Sequence, residues 1–177
     1  VNNAKVQRPT VCNALDCVLV HRGIAGGLLP QLREMWRKAG VQMRCDEASL
    51  KAVGGPDGSL VVAARDDDWG KEFLSLVAAI KVVADLDEAL AHIRRFGSGH
   101  SEAIVTENYT AANRFLTEVD AACVYVNAST RFTDGSQFGL GAELGISTQK
   151  FHARGPMALE EITSYKWVAL GTGQIRE

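Results

Sequence analysis

The sequence contains no Cys-x-x-Cys pair, no uninterrupted apolar run long enough to span a bilayer, and no excess of charge of either sign. Its four cysteines, at 12, 17, 45 and 123, lack the spacing of a zinc ribbon, a thioredoxin-like dithiol or a disulfide framework. Free thiols fit a reducing compartment, so a cytoplasmic location is expected. Nineteen Lys and Arg against 21 Asp and Glu give a net charge of −2, which offers no basic field to a nucleic-acid backbone or an anionic membrane. His21, His92, His100 and His152 are scattered, none at metal-ligand spacing, and no metal is expected. What remains is an ordinary globular composition: 46% hydrophobic and 23% charged over 177 residues, enough for one domain with a substantial core.

The pattern alternates. Leu15–Val20 is a short β-rich run. Leu28, Leu32 and Met35/Trp36 then mark a helix over about Ile24–Ala39, stopped by Gly40. A brief strand at Val41–Arg44, a helix Glu47–Val53 capped by Asp46, a turn at 54–58 and a strand Leu60–Ala63 follow. The acidic loop 66–70 leads into the apolar stretch Glu72–Val83. Asp85 or Asp87 then caps a helix to about Phe96. Strand Ala103–Val105, helix Tyr109–Val119 and strand Ala122–Val126 complete the series. Such strand–helix–strand units predict an α/β fold, with a mostly parallel sheet covered by helices on both faces. Asn127–Gly145 is polar and Gly-rich, a length of loop more often functional than idle. A strand at Ser164–Leu170, remote from the alternating units, is placed to pair with another chain. The chain opens on Val, and Val1–Lys5 reads like the middle of an element, so residue 1 is taken as a boundary.

Among the thiols, Cys17 and Cys123 lie in apolar strand patterns and read as buried small hydrophobes, and Cys45 fits either role. Cys12 differs: it follows Pro9, precedes Asn13 and stands outside any strong apolar run, with Arg8 and Lys5 near. A reactive thiolate needs partial exposure and positive potential, and this neighbourhood offers both. The structural reading stays open on these grounds alone. Phe138–Gly145 invites comparison with the dinucleotide fingerprint, but its third glycine comes one place late and no strand immediately precedes it. Asn127–Asp134 directly follows a strand, and its three hydroxyls, its amide and the Arg131 guanidinium suit a carboxylate and an amine. A solvated loop capped by local Ser/Thr hydrogen bonds fits equally well. Glu72, between acidic loop and apolar stretch, is a candidate acceptor for ribose hydroxyls.

Gln7-Arg8-Pro9-Thr10-Val11-Cys12-Asn13-Ala14 closely resembles the cysteine motif of the gamma-glutamyl phosphate reductases, within the aldehyde dehydrogenase superfamily. The segments 125–135, 138–150 and 152–157 resemble the same family, as do Asp68–Phe73 and Gly97–Ser101. The resemblance runs from end to end. It implies NADPH-dependent reduction of L-glutamyl 5-phosphate to the 5-semialdehyde with release of phosphate, a step of proline synthesis, through a thioester on Cys12. It further implies Glu72 as a cofactor-ribose ligand and Arg8, Asn13, Ser129, Thr130 and Arg131 as substrate-binding residues, with the backbone N–H of Cys12 as one oxyanion donor. Residues 1–150 would be the catalytic domain and 151–177 an extension that dimerises through its strand. A cofactor-binding domain, holding most NADPH contacts, would precede the cysteine motif outside this chain, leaving the segment alone with little turnover. A Cys–His hydrolase or acyl transferase, and a non-catalytic assembly module, are the alternatives.

Overall fold

The computed structural model describes residues 1–177. Four parallel strands form its main sheet, in the order β1–β4–β2–β3: β1 Cys17–His21, β2 Gln42–Cys45, β3 Val61–Ala63 and β4 Val77–Val83. Strand side chains alternate faces, and Val18 pairs with Ile80 while Cys17 pairs with Ala79. Val18, Val20, Met43, Cys45, Val61, Ala78 and Ile80 therefore share one face, where they pack with Ala25, Leu29, Leu32 and Trp36 of α2 (Arg22–Ala39). Leu29 and Trp36 are fully buried, and burial of side chains this size contributes about 2–3 kcal/mol each. The opposite face, carrying Cys17 and Lys81, meets α4 (Leu86–Phe96) through His92 and Glu88. The sheet is thus covered on both sides, as the alternating pattern predicts.

Helix boundaries follow from capping chemistry. The His21 ring accepts from the Gly23 N–H, and Gly40 closes α2 at φ 71°, with Arg37 and Lys38 in its last turn. Asp46 caps α3 (Glu47–Ala52) through the Ser49 N–H, Asp85 caps α4 through the Glu88 N–H, and Asn108 caps α5 (Tyr109–Glu118) through the Ala111 N–H. A second parallel pair, β5 (Ser101–Ile104) and β6 (Cys123–Val126), packs Leu90 of α4 with Phe115 of α5 in its own small core. No helix of the structure is long and apolar enough to cross a membrane.

Three elements depart from the sequence pattern. Asn2–Val6 forms a short helix, α1, whose Ala4 and Lys5 are buried. Gly145–Ser147 (β7) and Gly155–Met157 (β8) pair antiparallel, too short to show a period. The strand expected at Ser164–Leu170 does not form. A strand needs a partner for its N–H and C=O groups, and no backbone hydrogen bond joins 164–170 to the rest of the chain. Tyr165, Trp167 and Leu170 stand exposed.

Candidate active site

Cys12 is exposed, in the loop between α1 and β1. The loop is anchored at both ends. Leu15 N–H donates to the Ala4 carbonyl at 2.9 Å and Ala14 N–H to Val11 at 2.9 Å. The loop after β6 clamps it from outside: Asn13 Nδ2 donates to the Thr133 carbonyl at 2.7 Å, and Thr130 Oγ1 donates to the Asn13 carbonyl at 2.8 Å. Ser129 Oγ donates to Asn3 Oδ1 at 2.8 Å, and Arg131 Nε to Gln7 Oε1 at 3.1 Å. Sequence reasoning brought Cys12 and Asn127–Asp134 forward separately, and the structure joins them. The joining spends much of the polar chemistry assigned to substrate. The Thr130 hydroxyl and the amide nitrogen of Asn13 hold the thiol loop and the Ser129 hydroxyl holds Asn3 of α1, whereas the Nη groups of Arg131 make no hydrogen bond within the chain. Asn13 Oδ1 is buried without a partner. Arg8 is exposed and makes no side-chain hydrogen bond.

The loop after β6 begins at Asn127, in the left-handed region at φ 56°. Asparagine tolerates that region better than other side chains, and here both amide atoms also bond to the Thr106 backbone, at 2.9 and 2.8 Å. Further along, Gly135 is required by close approach: a Cβ there would lie 2.3 Å from the Ala142 carbonyl oxygen. Its N–H donates to Glu143 Oε2 at 2.8 Å.

Glu72 belongs to the segment before β4, the strand beside β1. Phe73 N–H donates to Asp16 Oδ1 at 3.2 Å, and the fully buried Lys5 ammonium pairs with the same oxygen at 3.5 Å. Asp16 therefore ties the thiol loop to the Glu72 segment. The Arg44 guanidinium, itself paired with buried Asp68, lies over the Phe73 ring at 5.3 Å. Leu74 is held at φ 51°, a conformation that costs a non-glycine residue about 1–2 kcal/mol. So the apolar stretch does not become strand until Val77. Glu72 is exposed and free of internal hydrogen bonds.

The electrostatics correct one expectation. Neither Arg8 nor Lys5 is among the main influences on the Cys12 pKa. Burial raises it, and the charges of Glu143 and Glu72 raise it further, against the backbone N–H groups of Cys12 and Asn13, which pull it down. Lys5 fails as a tuning cation because it is buried against Asp16, and burial pushes its own pKa down. No histidine hydrogen-bonds Cys12. The Cys–His neighbours are Cys17 Sγ and His92 Nε2, 3.9 Å apart, where burial pushes the Cys17 thiol up to about 12. Cys45 is buried and likewise pushed up to about 12, and Cys123 is buried.

Two site residues escaped the sequence reading. His100 is buried just before β5; its Nδ1 lies 2.7 Å from Ser101 Oγ, which lies 2.6 Å from Thr133 Oγ1, itself 2.7 Å from the Tyr125 hydroxyl. Thr133 thus connects this hydroxyl chain to Asn13, beside the thiol. Glu143 is the other. The charges of Glu72 and Glu143 push the Cys12 pKa up and draw the His100 pKa back against the effect of burial. His100 stood within Gly97–Ser101, and Glu143 within the glycine-rich run that failed as a fingerprint.

The model of the aldehyde dehydrogenase family matches residues 61–168. The chain belongs to the aldehyde dehydrogenase family. It is 68% identical over 174 residues to a gamma-glutamyl phosphate reductase of Dehalococcoides mccartyi, covering 98% of this chain and 41% of that protein. It is 58% identical over 180 residues to the protein of that name from Aquifex aeolicus, covering all of this chain and 41% of the relative. The crystal structure of gamma-glutamyl phosphate reductase from Thermotoga maritima superposes with a TM-score of 0.90 at 56% identity, over 99% of this chain and 41% of that one. An acetylating aldehyde dehydrogenase from Geobacillus thermoglucosidasius, 18% identical with a TM-score of 0.53, shares the fold. The chain thus spans about 41% of the length of these curated relatives. Within the aldehyde dehydrogenase fold, Cys12 and Glu72 precede the neighbouring parallel strands β1 and β4, so the thiol gathers at the amino ends of these strands.

Proposed function

We propose that Cys12 is the nucleophile of an enzyme that reduces L-glutamyl 5-phosphate to L-glutamate 5-semialdehyde, releasing phosphate, in proline synthesis. The observation that carries this reading is an exposed thiol in a loop clamped by Asn13–Thr133 and Thr130–Asn13, in a chain 68% identical to a gamma-glutamyl phosphate reductase. The Cys12 thiolate attacks the acyl carbon and the phosphate leaves, forming a thioester. NADPH, when bound, supplies the hydride that reduces it. The resulting thiohemiacetal collapses to the aldehyde and the free thiolate.

Each part of the chain has a share in this chemistry. The N–H groups of Cys12 and Asn13 lower the thiol pKa, and the Cys12 N–H would donate to the oxyanion that forms beside it. Asn13 and Thr130 act chiefly by holding the loop and Ser129 by holding α1, and near-attack geometry depends on that rigidity. The free Nη pair of Arg131 and the exposed Arg8 suit substrate oxygens, the former a carboxylate through its planar fork. Glu72 fits the cofactor ribose because its carboxylate is exposed and unpaired, and its charge acts on the thiol.

Residues 1–150 then form the catalytic thiol domain, and 151–177 an extension whose exposed Tyr165, Trp167 and Leu170 would gain a strand partner in a second copy. Most NADPH contacts would come from outside the chain, and the working enzyme would be cytoplasmic. NADPH oxidation with acyl phosphate tests the division of labour: the 177-residue chain alone should show little turnover, and a rate equal to that of a full-length relative would refute it.

A further inference from the structure

Lys5 is fully buried, and its ammonium has one charged partner, Asp16 Oδ1 at 3.5 Å. Taking two charges out of water offsets most of their attraction, so a buried pair adds little stability over apolar side chains of the same size. What it adds is alignment, because a charged pair accepts fewer arrangements of the segments it joins.

Three segments meet at this pair. Lys5 belongs to α1, Asp16 closes the loop that carries Cys12, and the same Asp16 oxygen accepts from Phe73 N–H at 3.2 Å, in the segment before β4. The first two segments are also joined by backbone, Leu15 N–H donating to the Ala4 carbonyl at 2.9 Å. The Asp16 carboxylate carries the one hydrogen bond between the thiol loop and residues 71–76.

Phe73 is held on three sides. Its N–H is on Asp16, its carbonyl accepts from Ser75 Oγ at 3.0 Å, and the Arg44 guanidinium lies over its ring at 5.3 Å. Leu74 follows at φ 51°, a conformation that persists only where its surroundings impose it. Glu72, immediately before, makes no hydrogen bond of its own within the chain. The place of its carboxylate is therefore set by Phe73, and Phe73 is joined to the thiol loop by Asp16.

We propose that Asp16 is a positioning residue: through Phe73 N–H it holds the Glu72 carboxylate in register with the Cys12 loop, and Lys5 holds Asp16 in place. This rests on Glu72 taking the cofactor ribose and Cys12 taking the acyl group, as proposed above. Reduction of the thioester needs cofactor and acyl carbon at a fixed separation, and a misplacement of about 1 Å costs on the order of a hundredfold in rate. Asp16 touches neither partner, and acts by fixing the two segments that present them.

Paired variants test it in the polypeptide extended to the length of its relatives. Lys5→Met with Asp16→Asn removes the buried charge and keeps an oxygen for Phe73 N–H. Lys5→Met with Asp16→Leu removes the charge and the acceptor together, and Lys5→Met with Asp16→Ala does so without added bulk. None leaves a lone charge buried, so folding should survive. NADPH affinity is read by fluorescence titration without substrate, and KM for the semialdehyde is read in the oxidation direction. The Asn pair should bind NADPH within about threefold of the parent, and the Leu and Ala pairs about tenfold more weakly than the Asn pair, with KM for the semialdehyde unchanged. A mere loss of folded protein would lower the measured rate and leave affinity and KM in place. In a Glu72→Gln background the difference between the pairs should vanish, because residues acting through one group are not additive. Equal NADPH affinity in the Asn, Leu and Ala pairs, or a difference that survives in Glu72→Gln, overturns positioning by Asp16. If Glu72→Gln alone binds NADPH as the parent does, the ribose assignment fails and the positioning with it, while Cys12 as nucleophile is judged separately by Cys12→Ala.

Discussion

Asn13 and Thr133 are 120 residues apart in sequence, and the Asn13 amide donates to the Thr133 carbonyl at 2.7 Å. Asn13 is adjacent to Cys12, and Thr133 is fully buried within a hydroxyl chain running to Tyr125 and His100. The position of the thiol is therefore set by the loop after β6.

Asn13→Leu should lower stability by about 1–3 kcal/mol, since the Thr133 carbonyl loses its donor in a buried setting. Urea unfolding would report the loss. Hydrogen exchange over residues 8–14 should rise more than over α2, because the damage is local to the clamp.

This clamp also marks the limit of what the sequence could reveal. Period-3.6 and period-2 patterns are local, so α2, β4, α4 and α5 were legible, and Asp46 and Asp85 announced their helices. The short α1 and the β7–β8 pair carry too few residues to show a period. Ser164–Leu170 has a strand's composition, but no backbone hydrogen bond joins it to a strand of this chain. Motif chemistry singled out Cys12, Glu72 and residues 129–131. It could not show that Thr130 spends its hydroxyl on the thiol loop and Ser129 its own on Asn3 of α1. Nor could it show that Lys5 turns inward to Asp16, which removed the expected cation from Cys12.

Gly135→Ala should disturb the 135–143 loop, because the added methyl would lie 2.3 Å from a backbone oxygen that cannot swing away as a side-chain end would. A loss of about 1–3 kcal/mol is expected. Gly139→Ala has open space around the new Cβ, so its cost should come from its positive φ alone. Comparing the two by thermal unfolding separates contact from conformation.

Glu102, on β5, is pushed up to about 7 by burial. A folded-state pKa above the unfolded one means that the folded chain holds the proton more tightly, so stability falls as pH rises from about 4.5 toward 7. Glu102→Gln should remove this dependence and raise stability at pH 8 by about 1–3 kcal/mol. Urea midpoints at pH 5 and pH 8 for parent and variant would check it; equal parent midpoints would argue against it.

The four thiols should separate cleanly with iodoacetamide at neutral pH. Cys12 is exposed and should label first, while Cys17 and Cys45, each pushed up to about 12, should stay unreacted until the chain unfolds. Labelling of Cys12 should still climb through the alkaline range, because burial and the two carboxylates hold its pKa up. Peptide mass spectrometry across a pH series reads both effects.

The most direct measurement follows NADP- and phosphate-dependent oxidation of L-glutamate 5-semialdehyde by the polypeptide extended to the length of its relatives, with and without Cys12→Ala. Steady NADPH formation is expected with Cys12, and a loss of more than about a thousandfold in the variant, since the other three thiols of the chain are buried or half-buried. Equal rates in the two proteins would contradict this role for Cys12.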